Sequence, residues 1–469
     1  MMHVIPQSWS HVHILISVFP SFGLLFVLGF YIAGLANNND GIKRTCLFLF
    51  GALAVLSVPI YLSGDAASMV LSDNPQISKA MISTHRTWGI GALAVLVATG
   101  VVAWIELFRT SGAGARIDPF RLVLLLAIAA LGVSAVVDEF GWEINHRELK
   151  IAVVIPEVST SQLWTNAHLI LNHVPTAGFV FAIFFLVMAL ILNNEGMKRG
   201  SLTFFVILGV IGVPTYVSGT ATMWAVTQPV IPEISKAVIN AHRDMALLAL
   251  VGLAVTGAVA WLELWRSRYF GRVSGVSLIA VLLFALVTLG VMTETGHRGG
   301  LINHPEIRTA MDVLPTDPDA GFSTFMESTV KSMIWFVPWQ VVHFFGYCLI
   351  FGSAFAVGLR VLGFWKSISF AAMHRLLVLG FFGVLMNVVS GMILMLADSY
   401  HYVVGDIAFA PKIALIVIGA IAVLYFSLSD RLWKVNAGED APASAKWVAA
   451  VVLLAWAGVI VCGRMLPYL

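Results

Sequence analysis

Twelve long runs of apolar residues dominate the pattern along the chain, and polar residues gather between the runs rather than alternating within them. A helix needs about 20 mainly apolar residues to cross a bilayer, whereas a membrane β-strand needs about ten with strict alternation. The pattern therefore predicts transmembrane helices near residues 12–36, 46–70, 83–107, 121–139, 167–192, 201–223, 243–264, 275–295, 333–359, 370–396, 408–428 and 446–464.

The composition strengthens this prediction. Of 469 residues, 59% are hydrophobic and 11% are charged, against roughly 25% charged in soluble proteins. Such a chain is not a cytoplasmic enzyme, a secreted domain or a disordered protein, and we expect an all-α integral membrane protein in a lipid bilayer. The net charge of +2 gives no reason to expect nucleic acid as a partner.

Lysine and arginine predict the orientation. One set of short loops carries 16 of the 27 basic residues, and the positive-inside rule places these loops in the cytoplasm. Both termini then lie on the outer side, which is the periplasm for a bacterial inner membrane. The N-terminus has no basic region and no small-residue cleavage site, so we expect no cleaved signal peptide. The basic residues of the cytoplasmic loops are Lys43, Arg44, Arg109, Arg116, Arg121, Lys198, Arg199, Arg266, Arg268, Arg272, Arg360, Lys366, Arg375, Arg431, Lys434 and Lys446.

The first two thirds of the chain contain an internal duplication. VPIYLSGDA at 58–66 returns as VPTYVSGTA at 213–221, and ISKAMISTHR at 77–86 returns as ISKAVINAHR at 234–243. Each copy has four spans, so the copies are parallel repeats rather than inverted ones. We predict three four-helix bundles: a first repeat at 1–150, a second at 151–308, a periplasmic linker at 309–332, and a third unit at 333–469.

Histidines gather at the predicted periplasmic ends of both repeats. Three positions are shared between the repeats, and two further histidines occur only in repeat two, where repeat one has Val18 and Glu139. An ionisable residue inside a membrane usually has a functional reason. The shared pairs are His13 with His168, His85 with His242, and His146 with His304; the two unshared residues are His173 and His297.

This arrangement favours haem b, with more than one haem per chain. Helix bundles bind cofactors between facing helices, and imidazoles from two helices can ligate a haem iron. Repeat one has no histidine at the positions equivalent to His173 and His297. We therefore predict that these two residues are the axial ligands of one haem and that repeat two carries more cofactor. Arg86 and Arg243 lie beside ligand positions and are candidate partners of the haem propionates.

Two alternatives remain at this stage. The three shared histidines of each repeat could bind copper or another metal instead of haem. The chain would then be a metal-transport or metal-binding protein. The chain could also be a membrane anchor without haem.

The three cysteines of the chain, Cys46, Cys348 and Cys462, are isolated, so neither covalently attached haem nor an iron–sulfur cluster is expected.

Two segments of repeat two resemble a widespread family of uncharacterised bacterial four-helix membrane units. The start of the first span of that family is similar to AHLILNHVP at 167–175, and the end of its fourth span is similar to TGHRGGLINH at 295–304. Members of that family look like b-type cytochrome modules, and the likeness covers residues 7–308 as two tandem units. The third unit, with His343 in VHFFGYCLIFG followed by SGMILMLAD, resembles the membrane domain of copper-resistance D-type proteins. The resemblance implies that His343 is a further metal ligand.

The expected function is electron transfer at the periplasmic face. We expect quinol as the electron donor and a periplasmic c-type cytochrome, or other subunits of a respiratory complex, as the partner. The histidines on the cytoplasmic half are too few for a complete transmembrane chain of haems, so oxidation of quinol near the outer face is favoured.

Overall fold

The computed structural model describes residues 8–73, 77–109, 119–145, 159–227, 235–304, 307–308, 312 and 314–466. Throughout these ranges the regular structure is helical, and twelve helices are long and apolar enough to cross a membrane. The protein is an all-α integral membrane protein, as the apolar runs predict.

Each span extends beyond its apolar core, because the polar residue that caps the helix lies in the adjoining loop. Asn39 and Ser78 accept a backbone N–H at the starts of the second and third spans, and Asn194 and Ser235 do the same in repeat two. Such caps satisfy N–H groups that have no partner within the helix. The twelve spans are α1 (Trp9–Ala36), α2 (Asp40–Leu71), α3 (Lys79–Phe108), α4 (Pro119–Asn145), α5 (Trp164–Ile191), α6 (Glu195–Val226), α7 (Lys236–Phe270), α8 (Gly275–Asn303), α9 (Met333–Leu362), α10 (Phe370–Ala397), α11 (Phe409–Leu428) and α12 (Ala443–Met465).

Neither α1 nor α5 is a regular helix throughout. In α1 the stretch Phe19–Gly23 is a single wide turn of π-helix that contains Pro20. In α5 the regular helix ends at Leu171 and starts again at His173, two residues before Pro175. A proline lacks the N–H group that would continue the helical hydrogen bonds. Beyond each break, the side chains therefore point in directions that differ from those in a regular helix.

Helices contact their neighbours within each run of four consecutive spans, and α11 also contacts α6 and α7. In repeat one, α1 packs on α2, α2 on α3, α3 on α4, and α4 returns to α1; α5 to α8 do the same in repeat two. In the third set, α9 contacts both α10 and α12, and α12 contacts α11. The domain boundaries themselves stay predictions.

The two repeats contact each other through equivalent residues. Phe30 stacks on Phe185 with ring centres 4.0 Å apart, and the amides of Asn39 and Asn194 exchange two hydrogen bonds of 3.2 Å. In both pairs the residue numbers differ by 155, which is the offset between the repeats. Reciprocal contacts of this kind define a two-fold arrangement. The helices α1 and α5 therefore contact each other through equivalent faces.

Part of the predicted linker is a docked helix. Phe322–Val330 is helical and packs on α7 and α10. The Asp244 carboxylate on α7 accepts hydrogen bonds of 2.8 Å from the backbone N–H groups of Phe322 and Ser323, where the helix dipole favours a negative charge. This segment therefore ties repeat two to the third unit.

Candidate functional site

A cavity of about 250 Å³ lies among the four helices of repeat one and contains both histidines of a facing pair. The ring centres of His13 on α1 and His85 on α3 are 6.4 Å apart, and the ring planes are nearly perpendicular at 86°. Because α1 and α3 lie across the bundle from each other, the two imidazoles enter the cavity from opposite sides.

Each imidazole is anchored through its Nδ1 atom. His13 Nδ1 lies 3.1 Å from the carbonyl oxygen of Ile60 and 3.3 Å from the hydroxyl of Ser63, both on α2. His85 Nδ1 lies 3.0 Å from the carbonyl oxygen of Val137 on α4. A carbonyl only accepts hydrogen bonds, so Nδ1 carries the proton and Nε2 keeps its lone pair. Neither Nε2 has a hydrogen-bond partner among the described residues.

Repeat two reproduces these anchors. His168 Nδ1 on α5 lies 3.2 Å from the carbonyl oxygen of Thr215 and 3.3 Å from the hydroxyl of Ser218 on α6. His242 Nδ1 on α7 lies 3.0 Å from the carbonyl oxygen of Thr295 on α8. The histidines on the first and third helices are therefore anchored in the same way in both copies.

Glycines bring the imidazoles against the backbone of the neighbouring helices. A Cβ atom at Gly64 would lie 2.7 Å from His13 Cε1, and one at Gly141 would lie 3.0 Å from His85 Cε1. Any larger residue would push the ring away from its carbonyl anchor. The equivalent glycines of repeat two are Gly219 against His168 and Gly299 against His242, with the same distances of 2.7 and 3.0 Å.

The separation of the His13 and His85 rings suits a metal held between them. Two metal–nitrogen bonds of about 2 Å each, with about 1 Å from each nitrogen to its ring centre, separate the centres by about 6 Å. The hydrogen bonds to Nδ1 act as the outer partners that usually fix the orientation of a metal-binding imidazole. The pair therefore fits the axial ligation of a haem iron.

In the structure, His173 and His297 each have other partners. His173 hydrogen-bonds the carbonyl oxygen of Leu169 through Nδ1 at 2.6 Å, and its ring stacks on Phe22 of repeat one with centres 5.3 Å apart. His297 Nε2 lies 3.0 Å from a carboxylate oxygen of Asp312. These contacts do not support the predicted pairing, and His168 and His242 stay candidates in repeat two.

Some of the remaining predicted site residues line the cavity of repeat one, among them Arg86. His304 lines the cavity of repeat one together with His173, while His146 falls outside the described residues. Arg86 forms an ion pair of 2.8 Å with Asp65. Arg243 is buried and lies 3.6 Å from a carboxylate oxygen of Glu327. Both arginines thus have a carboxylate partner from this chain.

In the third unit, His343 and His374 lie beside serines on two different helices. His343 Nδ1 lies 3.0 Å from the hydroxyl of Ser390, whereas His374 Nε2 lies 3.2 Å from the hydroxyl of Ser427 at the far end of α11. Across the described part of the chain, no three His, Cys, Asp or Glu side chains are grouped as a metal-ion site.

Sequence reasoning missed the serines and carbonyls that anchor the imidazoles. The signal was present, because Ser63-Gly64 and Ser218-Gly219 stand at the same place in the two repeats. A serine directly before a glycine can receive a hydrogen bond from the ring while the glycine makes room for it.

Comparison with known protein families, with curated proteins and with solved structures finds no match for this chain.

Proposed function

We propose that the chain is a membrane-bound electron-transfer protein that binds one b-type haem in each of its first two repeats. The observation that carries the proposal is the facing pair His13 and His85, with ring centres 6.4 Å apart in a cavity among four helices. His168 and His242 have the same anchors in repeat two. A b-type haem, when bound, supplies a carrier of one electron.

The residues of the chain would hold and orient that group. Bonds from Nδ1 to backbone carbonyls keep each Nε2 directed away from its neighbouring helix, and such outer bonds raise the basicity of the ligand nitrogen. Gly64 and Gly141 let the rings lie close to the helices, which leaves the centre of the bundle for the macrocycle. Apolar side chains such as Ile60 and Leu96 line the cavity together with Asp65 and Asp138, and the polarity around a haem is one of the ways a protein adjusts its potential.

The position of the pairs favours electron transfer near one membrane face. His13, His85, His168 and His242 all lie towards the N-terminal ends of their spans, and those ends share one side of the membrane in a parallel duplication. The loop asymmetry in lysine and arginine makes this side periplasmic in a bacterial inner membrane. We therefore propose quinol as the donor and a periplasmic c-type cytochrome or another complex subunit as the acceptor.

A reduced-minus-oxidised optical spectrum of the purified full chain, together with copper analysis, tests this proposal. We expect the α and Soret bands of b-type haem and no stoichiometric copper. Copper without haem bands would instead support the metal-binding alternative. The absence of both would support a membrane anchor, and either result would overturn the proposal.

A separate reduction experiment tests whether quinol is the electron donor. Addition of a short-chain quinol to the oxidised protein should reduce the haem within seconds, whereas the corresponding quinone should leave it oxidised. Failure of several quinols to reduce a haem that dithionite reduces would remove quinol as the donor while leaving the haem sites standing.

A further inference from the structure

The two repeats differ in what covers the gap between their second and third helices. In repeat two, Tyr216 and Val217 on α6 pack in one buried cluster with Phe409 and Ile413 of α11, so the third unit covers this face. Val217 is 1% exposed. Its equivalent in repeat one is Leu62, which is 59% exposed. The same face of repeat one is therefore open to the membrane.

The docked helix covers the outer end of this face in repeat two only. Asp244 accepts the hydrogen bonds from the start of the docked helix, and its equivalent in repeat one is the exposed Thr87. Arg243 is 6% exposed beside Glu327 of the docked helix, whereas the side chain of its equivalent Arg86 is 55% exposed. In both pairs the residue numbers differ by 157. The outer end of repeat one is thus also uncovered.

The cavity of repeat one reaches the surface at this uncovered gap. Asp65 on α2 and Arg86 on α3 line the cavity, and their side chains are 38% and 55% exposed. Gly89 lines it as well, and a Cβ atom there would meet no other atom within 4 Å. The cavity therefore has a lateral opening between α2 and α3. His85, one helical turn before Gly89, lines the same cavity.

The rim of this lateral opening combines apolar and charged side chains. Leu62 and Ile90 are 59% and 51% exposed on either side of it, and Asp65 forms an ion pair of 2.8 Å with Arg86. Asp65 lies six residues before the end of α2, which is about 9 Å along a helix. A charged pair that faced only acyl chains at this depth would be costly, so the pair suits a ligand with a polar headgroup.

We propose that the lateral opening of repeat one binds the headgroup of a membrane quinol, with Asp65 and Arg86 as its polar partners. A carboxylate accepts a hydrogen bond from a quinol hydroxyl, and a guanidinium donates to a hydroxyl or a quinone carbonyl. Leu62 and Ile90 offer apolar contacts to the isoprenoid chain. The inference rests on the proposed function, from which it takes quinol as the donor. It makes repeat one the point of entry, because the equivalent face of repeat two is covered.

Photolabelling of the full chain in lipid nanodiscs with a short-chain azidoquinone tests this site. We expect label within residues 58–71 and 79–93, and we expect excess unlabelled quinone to remove it. Gly89→Trp places a large ring in the opening and should remove most of the label. Gly132→Trp is the matched control, because Gly132 is an exposed glycine of α4 whose Cβ would meet no other atom within 4 Å. It should be labelled as wild type is.

Asp65→Asn tests the same site without adding bulk, so it serves even if Gly89→Trp does not fold. We expect it to weaken the competition by unlabelled quinone about tenfold, as the loss of a hydrogen bond to a charged group does. Label on α6 and α7 of repeat two instead, or competition that Asp65→Asn leaves unchanged, would overturn the inference. Label that unlabelled quinone does not remove would show contact with bulk membrane only, and would overturn it as well.

An optical spectrum of each sample separates this inference from the proposed function. Wild type with b-type haem bands but without competed label at the opening would overturn the quinol site alone. Wild type without haem bands would overturn the proposed function, wherever the label lies. In haem-containing samples, a short-chain quinol should reduce Gly132→Trp at the wild-type rate and Gly89→Trp at least about tenfold more slowly. Equal rates would contradict entry through this opening.

Discussion

At the scale of single residues, the hydrogen bonds to Nδ1 decide what the histidines can do. Ile60 and Val137 accept from His13 and His85 through backbone carbonyls, which hold the proton on Nδ1 without bringing a buried charge into the bundle. A carboxylate would do the same at the cost of desolvation. Backbone carbonyls therefore suit imidazole ligands inside a membrane.

Gly64 offers a direct test of this anchoring. In Gly64→Ala the new Cβ atom would lie 2.7 Å from His13 Cε1, so the ring must move from its carbonyl. We expect the chain to lose the haem of repeat one, even though alanine favours a helix over glycine by roughly 0.5–1 kcal/mol. Pyridine haemochrome analysis measures the loss.

Gly29→Ala is the matched control, because a Cβ atom at Gly29 meets no other atom within 4 Å. It should retain full haem content. Equal haem content in the Gly64 and Gly29 variants would contradict the proposed position of the ligand ring.

The histidines of the candidate site could be named from the sequence, but the close approach of His13 and His85 could not be predicted. His13, His85, His168 and His242 stand out because they recur at matching places. Counting residues along neighbouring helices gives depth but not the direction in which a ring points. The restart of α5 at His173 changes that direction, which a count based on a regular helix cannot include.

At the scale of helices, the caps of α2 and α6 also join the repeats. The side chains of Asn39 and Asn194 accept from the N–H groups of Ile42 and Met197 and also bond to each other. One residue thus begins its own helix and contacts the equivalent residue of the other repeat.

Substituting these asparagines should give effects that are not additive. Asn39→Ala and Asn194→Ala should each lower the free energy of unfolding by about 1–2 kcal/mol, because each loses a cap and the shared amide bonds. The double variant should lose less than the sum, by about 0.6 kcal/mol. Unfolding in mixed micelles measures these values. Asn37→Ala, at an exposed amide nearby, is the control, and additive losses would exclude the coupling.

The docked helix Phe322–Val330 should depend on Asp244. Asp244→Ala removes two charge-assisted bonds to its first N–H groups, so we expect cleavage by protease within residues 314–332 to speed up about tenfold. The exposed Asp319→Ala variant should cleave at the wild-type rate. Unchanged cleavage in Asp244→Ala would show that other contacts hold the segment.

At the scale of the whole molecule, the twelve spans and the duplication were predictable because the bilayer imposes length and apolar composition on every helix. The contact of equivalent faces of α1 and α5 was not predictable. It depends on particular pairs such as Phe30 with Phe185, which apolar periodicity does not distinguish from any other buried phenylalanines.

The orientation of the molecule can be measured with fusions. A reporter attached at Leu469 should be active only when it requires a periplasmic position, and one inserted after Asn38 should be active only in the cytoplasm, because basic residues cluster in that set of loops. The opposite pattern would place the histidine pairs at the cytoplasmic face and exclude a periplasmic acceptor.

The central claim is that His13 and His85 ligate one iron, and haem per chain in a set of histidine variants tests it most directly. His13→Ala, His85→Ala and the double variant should each lose one haem, and the double variant should lose no more than either single variant. His401→Ala, at an exposed histidine, should lose none. Loss of two haems in the double variant, or full haem content in either single variant, would contradict the pairing.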